Sequence, residues 1–133
     1  MNKDFSKLLP DPEDGEDIKI SPEKVLLKLA DTINDRYNGR IIAIVTSSGK
    51  VIEEQIETLN FTLYLQFTRH NDFTYPLLVS ECFKNSGTYP IKLVSHYGPP
   101  TDYGVIETEE KFEEAIEKIL AEERTRNIIL SMY

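Results

Sequence analysis

Two runs of alternating side chains, one on each side of a short polar turn, constrain the fold more than any other feature. In the first run four apolar side chains alternate with polar ones: Phe61, Leu63, Leu65 and Phe67. A period of two is typical of a strand with one buried face and one open face. The alternation resumes over residues 73–79, after a polar turn at residues 69–72. The pattern therefore predicts an antiparallel hairpin at the centre of a sheet.

Helix signals lie on both sides of the predicted sheet. Ser21 can cap a first helix, Pro22 suits its first position, and apolar residues recur at helical spacing up to residue 37. Thr108 can cap a second helix, whose apolar side is formed by the following residues: Phe112, Ala115, Ile116, Ile119 and Leu120. The apolar phase slips near residue 121, which predicts a break and a short closing helix.

The remaining segments complete an α+β fold. Strands are predicted over residues 40–46, 51–58 and 89–95 as well as in the hairpin, with a turn at 47–50 and an irregular loop at 96–104. Pro76 predicts an edge position or a bulge, because proline cannot donate a ladder hydrogen bond. We expect a meander-like antiparallel sheet of four to five strands, packed on one face by N-terminal and C-terminal helices, in the order α-β-β-β-β-β-α-α.

Composition predicts one domain and a compartment. Residues 1–20 carry six acids against three bases, with two prolines, so we expect an acidic, disordered arm followed by a single α+β domain over residues 21–133. The single cysteine, Cys82, excludes an internal disulfide. No apolar stretch has the pattern of a signal peptide or approaches the roughly 18 residues of a membrane span. The expectation is a soluble, cytoplasmic protein.

The net charge of −8 is concentrated in one stretch. Residues 107–123 hold eight acids and two bases, whereas residues 39–106, which contain the predicted strands, hold six acids and five bases. Such a negative surface repels phosphate backbones, so we expect no nucleic-acid partner and no membrane partner. A solvated helix side that keeps the protein soluble is the simplest explanation of this charge.

Catalytic and metal chemistry find little support in the sequence. Residues 46–50 resemble a phosphate-binding loop but lack its first glycine and its final hydroxyl residue. A metal site would need His70 and His96, with Asp72 and Asp102, to converge from two loops. Cys82 lies in a predicted strand without a catalytic signature. We predict no catalytic, cofactor-binding or metal-binding residues, and the sequence disfavours an enzyme.

The features that remain indicate an interaction protein. The 96–104 loop is stiffened by prolines and carries two tyrosines, a residue type that interfaces favour. We predict partner contacts at these residues: Tyr97, Asp102, Tyr103, Glu110, Glu113, Glu114 and Glu117. The predicted function is a non-catalytic accessory protein, of the immunity, antitoxin, adaptor or chaperone kind.

The expected partner is another protein, with a basic one favoured by charge, and a homodimer is also open. The alternative is a small enzyme or ligand binder that uses the open sheet face or a cleft containing His70 or His96. A deep pocket with a histidine beside a carboxylate would favour this alternative.

Overall fold

The computed structural model describes residues 21–53, 55–83, 88–96 and 99–133. The helices of this part are α1 (Pro22–Tyr37), α2 (Glu109–Ala121) and α3 (Glu123–Met132). The strands are β1 (Ile41–Ile52), β2 (Gln55–Phe67), β3 (Phe73–Phe83), β4 (Ile91–Ser95) and β5 (Thr101–Ile106). They form one antiparallel sheet in the order β1-β2-β3-β4-β5. The predicted α+β architecture is confirmed, while the predicted arm at residues 1–20 lies outside the described residues.

Helix ends follow the capping residues that the sequence indicates. The Ser21 hydroxyl accepts a hydrogen bond from the backbone N–H of Lys24, and α1 ends at Asn38 in the left-handed conformation. The Thr108 hydroxyl caps α2 in the same way. The break predicted near residue 121 separates α2 from α3. Helices α1 and α2 therefore begin at residues whose side chains cap them, and α1 is followed by a residue that tolerates the left-handed conformation.

The core lies between the helices and one face of the sheet. As predicted, β2 buries the side chains of Phe61, Leu63, Leu65 and Phe67 on its core face, and Thr62 on the other face is buried as well. The helices bury their apolar sides against the same cluster, through residues including Leu26, Ile33, Phe112 and Ile119. Burial of this apolar surface is the main favourable contribution to folding.

A bulge changes which side chains of β3 face the core. The β2–β3 register shifts beside Pro76, so the predicted bulge is confirmed, and it lies in a central strand rather than at an edge. Leu77 and Leu78 are both buried. The simple alternation predicted Val79 beside Leu77, which is wrong: Val79 pairs with Thr62 on the open face.

Two predicted loops are strands in the structure. Residues 47–50 belong to β1, where Ser47 pairs with Phe61 and Gly49 with Leu59; pairing with β2 outweighs the local turn preference. The predicted strand at 51–58 is therefore the end of β1 and the start of β2. The predicted irregular loop at 96–104 is wrong from Thr101 onward, since β5 pairs with β4 there.

The other face of the sheet has no described helix over it. Tyr64 and Gln66 lie there half-buried, as predicted, beside Ile44 and Val94. In the part of the chain that the structure describes, no helix has the length and apolar character needed to cross a membrane.

Candidate functional site

The four acidic residues predicted as partner contacts are all exposed on α2. The side chains that this helix buries are Phe112, Ala115, Ile116 and Ile119. Of the four glutamates, Glu113 and Glu117 line a groove against α1. Glu110 and Glu114 lie on the adjacent row of the helix, which points to solvent. One helix thus carries two pairs of acids in different settings.

The α1–α2 groove combines apolar and acidic surface in a volume of about 280 Å³. Its apolar lining comes from Val25, Leu29 and Ile116. Its charged lining is Lys28 from α1 and one stripe of α2 at intervals of four residues: Glu109, Glu113 and Glu117. Within the described part of the chain none of the three glutamates forms an ion pair. The groove therefore has a net negative lining, with three glutamates against one lysine, beside an apolar strip.

The predicted loop contacts are placed differently from the acids. Tyr97 lies outside the described residues. Asp102 is exposed, and its carboxylate accepts a hydrogen bond of 2.7 Å from the backbone N–H of Gly104. Tyr103 is half-buried, and its hydroxyl donates to the carboxylate of Glu122. Burial, and then that hydrogen bond, raise the pKa of Tyr103 to about 12. Partner binding by these three residues stays a prediction.

Glu122 leads to a polar network around His96. The His96 side chain is fully buried beneath the start of α3. Its Nδ1 atom lies 2.5 Å from the hydroxyl of Tyr75. Its Nε2 atom lies 3.0 Å from the hydroxyl of Thr125 and 3.1 Å from Oε2 of Glu122. Both ring nitrogens thus have partners.

The hydrogen-bond directions assign the form of the imidazole. The hydroxyl of Thr125 donates to the carbonyl of Ile119, so it accepts from Nε2–H of His96. Nδ1 is then free to accept from Tyr75. Burial lowers the pKa of His96, and the Glu122 carboxylate, which raises it, offsets this only in part. The ring is therefore neutral near pH 7, with its proton on Nε2.

The network joins elements that are distant along the chain. The Ser95 hydroxyl donates to Oε1 of Glu122 over 3.2 Å, so this carboxylate accepts hydrogen bonds from the last residue of β4 and from Tyr103 of β5. Tyr75 adds β3, and Thr125 adds α3. A hydrogen-bonded chain of tyrosine, histidine and carboxylate resembles the relays that activate nucleophiles in enzymes. Here the imidazole is enclosed and its partners are satisfied, so the arrangement orients α3 over the sheet.

Sequence reasoning identified His96 but missed its partners Tyr75, Glu122 and Thr125. They lie 21–29 residues from His96 along the chain, and only tertiary packing brings them to it. The phase slip near residue 121 was the one signal, because it marked a corner where polar side chains enter the core.

The other residues considered for chemistry lie apart from this network. His70 is exposed in a short 3₁₀ turn, Thr68–His70, at the β2–β3 tip. Cys82 is buried in the core, and burial raises its pKa to about 11. Among the described residues no group of three or more His, Cys, Asp or Glu side chains is arranged to hold a metal ion.

Comparisons with protein-family models, with curated proteins and with solved structures find no match to this chain.

Proposed function

We propose that this protein is a non-catalytic binding module, of the accessory, immunity, antitoxin or adaptor kind, that holds a basic protein segment in the α1–α2 groove. The observation that carries the proposal is the stripe of Glu109, Glu113 and Glu117 beside apolar Val25 and Ile116, in a groove where Lys28 is the one base among the described lining residues. A segment with lysine or arginine on one side and apolar residues on the other complements both linings.

The charge outside the groove supports the same proposal. Residues 107–123 contribute a net charge of −6, from eight acids and two bases. A local field of this size speeds the approach of a cation and is screened beyond about 8 Å at physiological ionic strength. In this proposal the outward pair Glu110 and Glu114 attracts the partner, while the groove pair Glu113 and Glu117 contacts it.

The alternative of an enzyme or ligand binder at His96 has less support. Its imidazole does lie beside a carboxylate, yet its side chain is fully buried and both nitrogens have hydrogen-bond partners. General acid–base catalysis needs a group that can reach a substrate proton. The open sheet face offers a wider depression around Tyr64 and Pro76, whose described lining residues include no charged side chain to select a ligand.

Two double charge reversals test the proposal with equal changes in net charge. The groove variant is Glu113→Lys with Glu117→Lys, and the outward variant is Glu110→Lys with Glu114→Lys. Wild type and both variants serve as baits in lysate from the native host, and binding of the enriched protein is then measured kinetically over a range of salt concentrations. We expect both variants to slow association, by roughly ten-fold or more at low salt. Only the groove variant should also speed dissociation.

The salt dependence separates attraction from contact. Raising the salt should bring the on-rate of wild type down toward that of the outward variant, while leaving the faster dissociation of the groove variant in place. If the association and dissociation rate constants of the partner changed neither with salt nor in either variant, the proposal would be overturned. The acids of α2 would then serve solubility alone. Tyr103→Phe, which removes only the hydroxyl, tests the predicted loop contact through the off-rate.

A further inference from the structure

A separate cavity lies between α1, α3 and the sheet, with a volume of about 400 Å³. Eight of its twelve lining residues in the described chain are aliphatic. Three of these, Ile41, Leu65 and Leu77, are fully buried in the sheet, so the cavity reaches the core. Ligand pockets in proteins typically measure about 300–1,000 Å³ with mostly apolar linings. This cavity has the size and lining expected for a small ligand.

The charged lining of the cavity has one sign. Arg36 from α1 and Arg126 from α3 both line it, and both side chains are exposed, which places them toward its opening. No acidic residue is among the described lining residues, and neither arginine forms an ion pair in the described part of the chain. A purely basic charged lining is not what the composition predicts, since the chain has 23 acids against 15 bases.

Aromatic contacts hold one wall of the cavity in place. Tyr37 lines the cavity, and its ring lies 5.7 Å from the ring of Tyr133. The guanidinium carbon of Arg40 lies over the same Tyr133 ring, 5.0 Å from the centroid of that ring. A wall fixed before binding reduces the entropy lost when a ligand enters.

We propose that this cavity binds a small amphipathic carboxylate, with its apolar tail against the aliphatic lining and its carboxylate at Arg36 and Arg126. Guanidinium groups match carboxylates in charge and in planar hydrogen-bond geometry. The aliphatic floor favours a hydrocarbon tail over a polar body. The proposal is independent of the α1–α2 groove, because the groove attracts cations and this cavity attracts anions.

Sodium octanoate is the probe, and three molecules control for its parts. Acetate keeps the head without the tail, 1-octanol keeps the tail with an uncharged head, and octylammonium reverses the charge. We expect octanoate to raise the melting temperature with concentration and to shift the amide signals of Ile33 and Ile129 in ¹H–¹⁵N spectra. Acetate and octylammonium should do neither, and 1-octanol should bind more weakly than octanoate.

Charge-neutralising variants locate the head group. Arg36→Gln and Arg126→Gln should each weaken octanoate binding by about ten-fold, while Arg69→Gln, an equal change at an exposed residue outside the cavity, should leave it unchanged. The groove variant with Glu113 and Glu117 reversed should also bind octanoate normally. Octylammonium binding as tightly as octanoate, or octanoate binding unaffected by either cavity arginine, would overturn the proposal. So would the lack of any octanoate-dependent shift at the cavity amides.

Discussion

The α1–α2 groove and the α1–α3 cavity share one helix and differ in charge. Leu29 and Thr32 of α1 line both. The groove adds three glutamates from α2 and Lys28 from α1, whereas the cavity adds Arg126 from α3 and Arg36 from α1. Because α1 gives each depression one base, the sign of the net charge is set by the other helix, through the glutamates of α2 or Arg126 of α3. Residues 21–38, which include α1, balance three acids with three bases.

The two depressions also differ in depth. The cavity reaches fully buried residues of three strands, while the groove lies over the outer part of the helix pair. A change to the cavity floor should therefore alter folding stability, and a change to the groove lining should alter binding first.

The largest expected effect is at the cavity floor. Leu65→Ala should lower the free energy of unfolding by about 2–5 kcal/mol, the range for truncated buried leucines. Leu27→Ala is the matched control, because Leu27 is 45% exposed on α1 and alanine suits a helix, so its cost should stay within about 0.5 kcal/mol. Denaturant unfolding measures both. Equal losses in the two variants would show that the cavity floor is not part of the core.

The next effect concerns the network that orients α3 above the cavity. His96→Asn removes the imidazole but keeps a residue type that tolerates the positive φ of 59° at this position. We expect a loss of about 1–3 kcal/mol, because the buried hydroxyl of Thr125 and the partly buried carboxylate of Glu122 each lose a hydrogen-bond partner. His70→Asn makes the same change at an exposed site and should cost little.

Hydrogen exchange shows where the loss is felt. In His96→Asn, amide protection should fall along α3 while the first turns of α2 keep theirs. If α2 and α3 lost amide protection equally, the assignment of this network to the cavity side of the molecule would be contradicted.

A smaller effect is a dependence of stability on pH. The groups that face His96 are Tyr75 from β3, Glu122 from the α2–α3 corner and Arg124 from α3. The pKa of His96 is lowered in the folded protein, chiefly by burial, so as pH falls the unfolded chain takes up the proton first. Stability should therefore be present above about pH 6.5 and be lost as pH falls from there toward the native pKa.

The two asparagine variants isolate this titration from that of the carboxylates. One group changes stability by at most about 1.4 kcal/mol per pH unit. The wild-type slope between pH 7 and pH 5.5 should shrink in His96→Asn and persist in His70→Asn. A slope that rises in the opposite direction would mean that the ring is protonated in the folded state, held by Glu122.

The comparison also shows what the sequence could and could not predict. Phe61, Leu63 and Leu65 alternate without interruption, and their burial was predictable because a strand has only two faces. The face of Val79 was mispredicted because a bulge at Pro76 shifts the phase, and the position of a bulge depends on the neighbouring strand. The local pattern of apolar residues predicts where a strand lies, whereas the register of that strand depends on how it pairs with its neighbour.

The same reasoning applies to the two depressions. The acids of α2 were recognised because helical spacing alone places Glu113 and Glu117 on one side. Arg36 and Arg126 were not recognised as one site, because 90 positions separate them in the sequence. Only the packing of α3 against α1 puts them at one cavity. Sites within one element are readable from sequence, and sites between distant elements are not.

The smallest expected effect tests whether the acidic stripe destabilises its own helix. Glu113 has Glu109 and Glu117 four residues away on either side and Glu110 three residues before it, with no base at these spacings. Like charges at this separation destabilise a helix by about 0.2–0.5 kcal/mol per pair. Glu113→Gln should therefore raise the free energy of unfolding by several tenths of a kcal/mol at low salt, and the gain should fade as salt is added.

Glu114→Gln is the matched control on the next row of α2. Glu114 has Lys111 and Lys118 at helical spacing, as well as Glu110 and Glu117, so its attractions and repulsions nearly cancel and neutralising it should leave stability unchanged. A stabilised Glu113→Gln beside an unaffected Glu114→Gln would mean that the groove stripe is kept at a cost to the helix, as expected of residues selected for binding. Equal behaviour of the two variants would remove that argument, and the groove would then differ from the rest of α2 only in shape.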